Sequence, residues 1–255
     1  MTLLRPLIIA AVLIGGWEAF VRLTGQPTFI LPPPSLVAVT LVERSDILVG
    51  HFGVTVGEIL LGFVCGALLG SASALALAYF RGARRWLLPP LVVSQAVPVF
   101  ALAPVLTLWI GYGIGSKVAM ATLIIFFPVT AAFYDGLRRT DPGWLDQARV
   151  MGADRWRTLL HLQLPAALPA CASGLRVAAA VAPIGAVVGE WVGASSGLGY
   201  LMLHANARGQ VDLMFAALAL LAAFSVALYF GLDHALRRLM PWQPDSGESP
   251  RPASS

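Results

Sequence analysis

Residues that could carry covalent or metal chemistry are few in this sequence and stand far apart. The four histidines lack the paired spacing of a metal-binding helix. They are His51, His161, His204 and His234. Cys65 and Cys171 fall inside apolar runs, where a thiol behaves as a small hydrophobic group. The run Gly-Ile-Gly-Ser-Lys at 113–117 resembles a phosphate-binding loop only faintly, because its spacing is wrong. We therefore predict no catalytic residue, no nucleotide site, no metal and no cofactor.

The composition is that of a membrane protein. Apolar residues make up 58% of the 255 positions and charged residues only 12%, whereas soluble domains carry about 25% charge. Continuous apolar runs approach the roughly 20 residues that a helix needs to cross a bilayer. Because a backbone in lipid must satisfy its own hydrogen bonds, these runs predict helices. The net charge of +4 lies in the connectors, so we expect an all-α polytopic membrane protein with no nucleic-acid partner.

Six apolar segments predict six transmembrane helices. Their expected bounds are 7–21, 54–80, 87–110, 118–134, 170–191 and 213–232. The first segment has one feature of a signal peptide, since Arg5 precedes a short apolar core. However, Trp17, Glu18 and Phe20 make a poor cleavage region, which prefers small residues. We expect an uncleaved first span.

The basic residues predict which side of the membrane each connector faces. If both termini and the 81–85 and 135–169 connectors are cytoplasmic, that side holds twelve basic residues. These are Arg5, Arg81, Arg84, Arg85, Arg138, Arg139, Arg149, Arg155, Arg157, Arg237, Arg238 and Arg251. The other side holds only Arg22, Arg44, Lys117 and Arg208, while Arg176 lies inside the fifth span. The positive-inside rule therefore predicts cytoplasmic termini. The Pro- and Ser-rich tail, 243–255, is expected to be disordered.

Small residues and prolines predict how the spans pack. Glycines recur at four-residue spacing along the second span, and such a row of small residues allows a neighbouring helix to approach closely. The alternative is that these glycines line a pathway. They are Gly53 and Gly57, then Gly62, Gly66 and Gly70. Prolines within spans each remove a backbone donor and bend the helix. They are Pro98, Pro104, Pro128 and Pro183.

The connector at 135–169 is too polar to be a span and too patterned to be disordered. Asp141 followed by Pro142 is typical of a helix N-cap and first helical residue. Apolar residues then recur at three-residue spacing and predict a short helix with one apolar face. They are Leu145, Ala148 and Met151. Gly152 is expected to end this helix.

A second short helix is predicted after the glycine. Asp154 can cap it, and its apolar stripe consists of Trp156, Leu159 and Leu160. The pattern indicates helix, tight glycine turn and helix, lying beneath the membrane. Such an element either rests on lipid headgroups or docks on another protein.

One motif in this connector resembles the cytoplasmic signature loop of ABC importer permeases. That signature begins Glu-Ala-Ala, continues three residues to a glycine, and ends nine residues later in Ile-x-Leu-Pro. The segment 146–152 and the segment 162–165 follow it, with Gly152 and the Leu-Pro pair in register. Asp146, Gln147 and Leu162 replace the usual Glu, Ala and Ile. The resemblance implies docking on an ATPase through Asp146, Gln147, Ala148, Arg149, Gly152, Ala153, Asp154, Arg155, Leu164 and Pro165.

Further motifs resemble the nitrate/sulfonate/taurine permease family over residues 30–242. They are Leu-Pro-Pro-Pro-Ser at 31–35, Phe-Ala-Leu-Ala-Pro at 100–104 through Gly-Tyr-Gly at 111–113, and Gly-Glu-Trp-Val-Gly at 189–193 through Gly-Leu-Gly-Tyr at 197–200. The resemblance implies a six-helix type I importer permease fold in one domain, 1–242, in a bacterial inner membrane. Its implied partners are a second copy of this chain, a cytoplasmic ATPase dimer that hydrolyses the ATP, and an extracytoplasmic substrate-binding protein.

The path and the substrate are less strongly indicated. Candidate path residues are Glu58, Gln95, Pro98 and Glu190. Carboxylates are costly in lipid, so the two glutamates should face protein or water, either anchoring helices or contacting substrate. The segment 183–208 most resembles permeases for pyrimidine precursors of thiamine; sulfonate, taurine or nitrate is the alternative. A secondary transporter would be expected to show inverted repeats and a midplane cation site, and neither is evident in the sequence.

Overall fold

A computed structural model describes residues 4–80, 82, 84–86, 89–90, 93 and 97–242. These residues form helices and contain no β-strand, which confirms the predicted all-α class. The helices are α1 (Leu4–Thr24), α2 (Pro34–Glu43), α3 (Ser45–Tyr79), α4 (Val99–Ile110), α5 (Ile114–Arg138), α6 (Pro142–Val150), α7 (Arg155–Thr158), α8 (Leu164–Trp191), α9 (Leu198–Ala207) and α10 (Val211–Leu239). A π-helical turn, Leu159–Gln163, joins α7 to α8.

Four helices of the described residues are long and apolar enough to cross a membrane. They are Ser45–Tyr79, Ile114–Arg138, the continuous helix Arg155–Trp191, and Val211–Leu239. They contain the second, fourth, fifth and sixth predicted spans. The first predicted span lies within the 21 residues of α1. For the third, α4 forms the C-terminal half, and Gln95 and most of the N-terminal half lie outside the described residues.

The helices extend beyond the predicted bounds. α3 begins at Ser45, not at residue 54, and the helix of the fifth span begins at Arg155, not at residue 170. Hydropathy marks only the lipid-facing middle of a helix, because polar residues at its ends continue the same backbone hydrogen bonds in water. Pro98 also differs from the prediction, because it precedes the first residue of α4.

Much of the apolar surface of the spans is left uncovered by the chain itself. Only 22% of the apolar stretch of α10 is buried, and 28% of that of α3. Leu68, Val226 and Phe230 are each more than half exposed. In a soluble protein such a surface would be a liability, but lipid tails solvate it at no cost. The exposed apolar surface supports a membrane-embedded chain.

The described chain divides into two compact units. The first combines the segment up to Leu61 with Phe100–Ala121 and Pro183–Phe224. The second combines Gly62–Val99, Thr122–Ala182 and the segment from Ser225 onward. The single permease domain expected over 1–242 stays a prediction.

Close packing in the second unit depends on glycines. A Cβ at Gly66 would lie 2.7 Å from Ile125 Cβ, and one at Gly70 would lie 2.8 Å from the Phe126 carbonyl oxygen. The predicted glycine ridge is therefore confirmed for the C-terminal half of α3, which packs against α5. At Gly53 and Gly57 no described residue outside the adjoining turns of α3 comes within 4 Å of the position a Cβ would take, so the ridge stays a prediction for this half of α3, beside the alternative of a glycine-lined pathway.

An ion pair links α8 to α10 within the second unit. Arg176 Nε lies 2.6 Å from Asp233 Oδ1, and Arg237 Nε lies 2.9 Å from the other oxygen of the same carboxylate. Arg176 and Asp233 are both largely covered. The arginine inside the fifth predicted span thus has an acidic partner, as charges within membrane helices usually do.

Candidate functional site

The 135–169 connector begins with the predicted cap. The Gly143 amide donates to Asp141 Oδ1 at 2.6 Å, and Pro142 is the first residue of α6. The side chain of Asp141 satisfies one amide that the helix itself leaves unpaired. The predicted helix start is confirmed.

Gly152 ends α6 with a tight turn. Its φ is +75°, in the left-handed region that side chains with a Cβ rarely adopt. The Gly152 amide donates to the Arg149 carbonyl at 3.0 Å, and the Ala153 amide donates to the Ala148 carbonyl at 2.9 Å. These two bonds form a Schellman motif, in which a glycine closes the C-terminal end of a helix. The predicted glycine turn is confirmed.

The second helix of the connector differs from the prediction. The Arg157 amide donates to Asp154 Oδ1 at 2.7 Å, so Asp154 is the expected cap. The helix then continues without interruption to Trp191, so it is not a separate short helix. Its π-helical turn precedes Pro165, which has no N–H with which to continue the regular ladder. The glycine turn is therefore followed directly by the helix that contains the fifth predicted span.

The apolar faces of the two helices are only partly buried. Ala148 and Leu159 are 7% and 3% exposed and pack inward. Met151 is 78% exposed and Val150 is 89% exposed, so the predicted face of α6 turns outward at its end. Trp156 is also exposed. The turn therefore presents apolar side chains that the rest of the described chain leaves exposed.

These exposed side chains border a cleft of about 650 Å³ between α6 and the following helix. Its lining includes Trp144, Gln147, Met151, Gly152, Arg157 and His161. An aromatic ring, a thioether and a guanidinium around one cleft resemble the side chains that dominate protein interfaces. Gln147, which replaces the usual alanine of the importer signature, adds a side-chain amide to this surface.

The charged residues of the connector point toward solvent. Arg149 pairs with Asp146 at 2.6 Å, and Arg157 lies 4.0 Å from Asp154, with all four side chains at least 65% exposed. Exposed pairs of this kind contribute about 0–1 kcal/mol to stability. These side chains could therefore break their exposed ion pairs at little cost and form ion pairs with another protein instead.

Two side chains attach the connector to the ends of spans. Arg155 Nη2 donates to the Tyr79 carbonyl, the last of α3, at 2.7 Å, and its guanidinium lies 5.5 Å from the Tyr79 ring centre. Gln163 Nε2 donates to the Leu137 carbonyl, in the last turn of α5, at 3.4 Å. Carbonyls in the last turn of a helix have no intrahelical partner, so both contacts satisfy such groups.

Tyr79 was not identified from the sequence. Its ring also packs edge-on against Trp156, with 5.6 Å between the ring centres. A tyrosine ending an apolar helix has no local signal of this role, because its partners lie 76 residues away along the chain. Of the remaining candidate docking residues, Leu164 packs on the buried cluster that includes Leu159, and Pro165 is exposed.

The two candidate path glutamates lie in the first unit, in a buried polar cluster. Glu58 is 3% exposed and Glu190 is 1% exposed, so both face protein, as expected. Thr55 Oγ1 donates to Glu190 Oε1 at 2.6 Å. Within the described part of the chain, Glu58 Oε2 has no hydrogen-bond partner. Pro98, by contrast, is exposed.

Lys117 is a further member of this first unit that the sequence did not single out. It is 2% exposed, and its Nζ donates to the Tyr112 carbonyl at 2.7 Å and to the Gly193 carbonyl at 2.9 Å. It joins the connector before α5 to the connector after α8. The run 113–117, faintly similar to a phosphate loop, therefore uses its lysine to bind backbone carbonyls.

Four long apolar helices, with a capped helix-turn-helix before one of them, are the architecture of a membrane-embedded helical protein. The fold is that of type I ABC importer permeases: an inward-facing structure of the MetNI methionine ABC transporter superposes with a TM-score of 0.61. That match covers 76% of this chain and 95% of the other, at 18% sequence identity. The chain belongs to the family described as the binding-protein-dependent transport system inner membrane component, which matches residues 48–241.

Two curated relatives support the same family over nearly the full chain. A probable ABC transporter permease protein of Haemophilus influenzae is 55% identical, covering 93% of this chain and 97% of the relative. The formylaminopyrimidine transport permease protein ThiX of Halalkalibacterium halodurans is 34% identical, covering 94% and 96%. This chain is therefore a membrane-spanning permease subunit of an ABC transporter.

Proposed function

We propose that this chain forms the translocation path of an ATP-driven importer and that its 135–169 connector docks on a cytoplasmic ATPase. The observation that carries the proposal is the glycine turn: it is exposed, has apolar side chains at its tip and is followed by a helix that continues without interruption into α8. An element that rested on lipid headgroups would not need the cleft behind it. A protein partner can fill that cleft.

The attachment points indicate how motion would reach the membrane. Arg155 binds the end of α3 and Gln163 binds the end of α5, while the connector's second helix is part of the α8 span. A displacement of the turn by the ATPase therefore acts on three helices of the second unit at once. ATP hydrolysis belongs to the partner, and this chain supplies the moving path.

Co-purification tests the docking surface directly. Met151→Glu places a charge at the apolar tip of the turn, and we expect it to reduce the ATPase recovered with the permease by tenfold or more. Val226→Glu would disturb insertion, so the matched control is Leu239→Glu, an exposed apolar residue beside the arginines in the last turn of α10. Normal recovery of the ATPase with Met151→Glu would contradict the docking proposal.

We further propose that the solute is a pyrimidine precursor of thiamine of the hydroxymethylpyrimidine type. The resemblance of residues 183–208 and the 34% identity to a formylaminopyrimidine permease support this choice. The alternative is sulfonate, taurine or nitrate. Uptake of labelled hydroxymethylpyrimidine and of labelled taurine should be compared in cells that carry the permease, its ATPase and its binding protein. Taurine uptake alone would favour the alternative.

The assembly and the orientation are part of the proposal. A chain with one set of spans supplies half of a path, so a second copy and an extracytoplasmic binding protein complete it, in the bacterial inner membrane with both termini cytoplasmic. Glu58, Gln95, Pro98 and Glu190 are the candidate path residues, which act either by contacting the solute or by positioning the helices around the path. Solute uptake in liposomes driven by an ion gradient without ATPase would instead favour a secondary transporter.

A further inference from the structure

Helix α9 begins at a glycine and has no capping side chain of its own. Gly197, in the N-cap position, has a φ of +112° and makes no side-chain cap bond. The first four amides of a helix lack intrahelical acceptors. In α9 these are the amides of residues 197–200, and the first intrahelical bond runs from the Leu201 amide to the Gly197 carbonyl.

Helix α3 supplies the first two acceptors. The Gly197 amide donates to His51 Nδ1 at 2.9 Å, and the Leu198 amide donates to Thr55 Oγ1 at 2.7 Å. His51 and Thr55 are four residues apart, so both lie on the same face of α3. The start of α9 is thus bonded to another helix 143 to 146 residues away in sequence.

Glu190, near the end of α8, supplies the other two. Its Oε2 accepts hydrogen bonds from the amides of Gly199 and Tyr200, the second at 3.2 Å. Its Oε1 accepts a hydrogen bond from the Thr55 hydroxyl. This bond joins Thr55 and Glu190, which between them accept the amides of residues 198–200, into one network. A carboxylate at this position also interacts favourably with the positive end of the helix dipole.

The two glycines of this segment make room for the carboxylate. A Cβ at Gly197 would overlap the Glu190 carboxylate, and a Cβ at Gly199 would lie 2.8 Å from its Oε2. Glu190 is 1% exposed, so water does not replace a lost acceptor at this point. The Gly-Leu-Gly run therefore fits this internal ligand.

We propose that Glu190 is a positioning residue for transport, which fixes α9 to α3 and α8 so that the three helices move together when the transporter changes state. The inference rests on the proposed function. It assigns Glu190 a role through the backbone of α9 and not through contact with the solute.

Two measurements test the proposal: amide hydrogen exchange of the reconstituted complex of permease and ATPase, and uptake of hydroxymethylpyrimidine or taurine by cells that carry the permease, its ATPase and its binding protein. In Glu190→Ala we expect faster exchange over residues 197–200 and uptake reduced tenfold or more. Glu190→Gln keeps an oxygen that can accept both amide bonds, so it should retain slow exchange and uptake within a few-fold of wild type. Glu43→Ala, which removes an exposed carboxylate of the same unit, should change neither measurement.

Thr55 provides a second, independent variant if Glu190→Ala does not accumulate in the membrane. Thr55→Val should speed exchange at residue 198 and lower uptake, and Thr55→Ser should restore both. If Glu190→Ala or Thr55→Val shows fast exchange but full uptake, the positioning role is overturned. Unchanged exchange in Glu190→Ala would overturn it as well. Lost uptake in Glu190→Gln with exchange still slow would overturn it in favour of solute contact. If wild-type uptake proceeds without ATPase, the proposed function fails, whatever the exchange shows.

Discussion

Gly152 is the residue at which the chain reverses between α6 and the helix that becomes a membrane span. Its left-handed φ of +75° is available to glycine at no steric cost, whereas a residue with a Cβ loses about 1–2 kcal/mol there. Apart from its two chain neighbours, no described residue has an atom within 4 Å of the position that a Cβ would take here. Backbone conformation, and not lack of space, therefore requires glycine.

This difference predicts opposite outcomes for two substitutions at Gly152. Gly152→Val should distort the turn and reduce both ATPase recovery and uptake by tenfold or more, with membrane insertion unchanged. Gly152→Asn should retain most of both, because asparagine tolerates the left-handed region. Quantitative co-purification and uptake measure the effect, and equal behaviour of the two variants would contradict it.

Arg155 connects the turn to the membrane region through a backbone carbonyl and an aromatic ring. The resemblance counts Arg155 among the docking residues, but its guanidinium binds Tyr79 of the same chain. We therefore expect Arg155→Ala to leave ATPase recovery near normal and to lower uptake at least fivefold, because the connector stays docked and loses its bond to the end of α3. Arg238→Ala removes an exposed arginine near the end of α10 and serves as the control. A parallel loss of ATPase recovery would show that Arg155 contributes to docking instead.

At the scale of whole elements, α3 changes character along its length. Its C-terminal half packs on α5 through Gly66 and Gly70 at distances that leave no room for a methyl group, while Gly53 and Gly57 face open space. Overpacking a tight interface typically costs about 1–3 kcal/mol. Glycines at the same four-residue spacing therefore lie in a tight helix contact in one half of α3 and outside such a contact in the other half.

That contrast is testable with matched alanine substitutions. Gly66→Ala should lower the midpoint of thermal unfolding in detergent, because its methyl group would meet Ile125 at 2.7 Å. Gly53→Ala should leave the midpoint unchanged or raise it, since alanine favours a helix by about 1 kcal/mol over glycine. Similar shifts for both variants would show that the close contact with α5 does not matter for stability.

At the scale of the whole molecule, the placement of basic residues predicts that the 135–169 connector is cytoplasmic. Val150 is 89% exposed, so a cysteine there is accessible to a reagent on the same side of the membrane. In a Cys65→Ser, Cys171→Ser background, Val150→Cys should react with a membrane-impermeant maleimide in inside-out vesicles and not in intact spheroplasts. Ser195→Cys, between α8 and α9, should show the opposite pattern. Labelling of residue 150 from outside would reject the ATPase-docking proposal.

Local patterns in the amino-acid sequence are sufficient to predict the membrane class, the helical architecture and the capped glycine turn. These follow from local rules: apolar runs of bilayer length, Asp caps, and a glycine at a helix end. The signature residues from Asp146 to Pro165 also lie within one short stretch, so their pattern could be identified without a fold.

Contacts between residues far apart in the sequence became known from the three-dimensional arrangement of the helices. Arg155 donates to the Tyr79 carbonyl, and Lys117 donates to the Gly193 carbonyl. Glu190 accepts from amides at the start of α9. Hydropathy and spacing describe each helix by itself, and they contain no information on which faces of two distant helices come together. Long-range packing fixes those faces, and it made a buried carboxylate the cap of another helix.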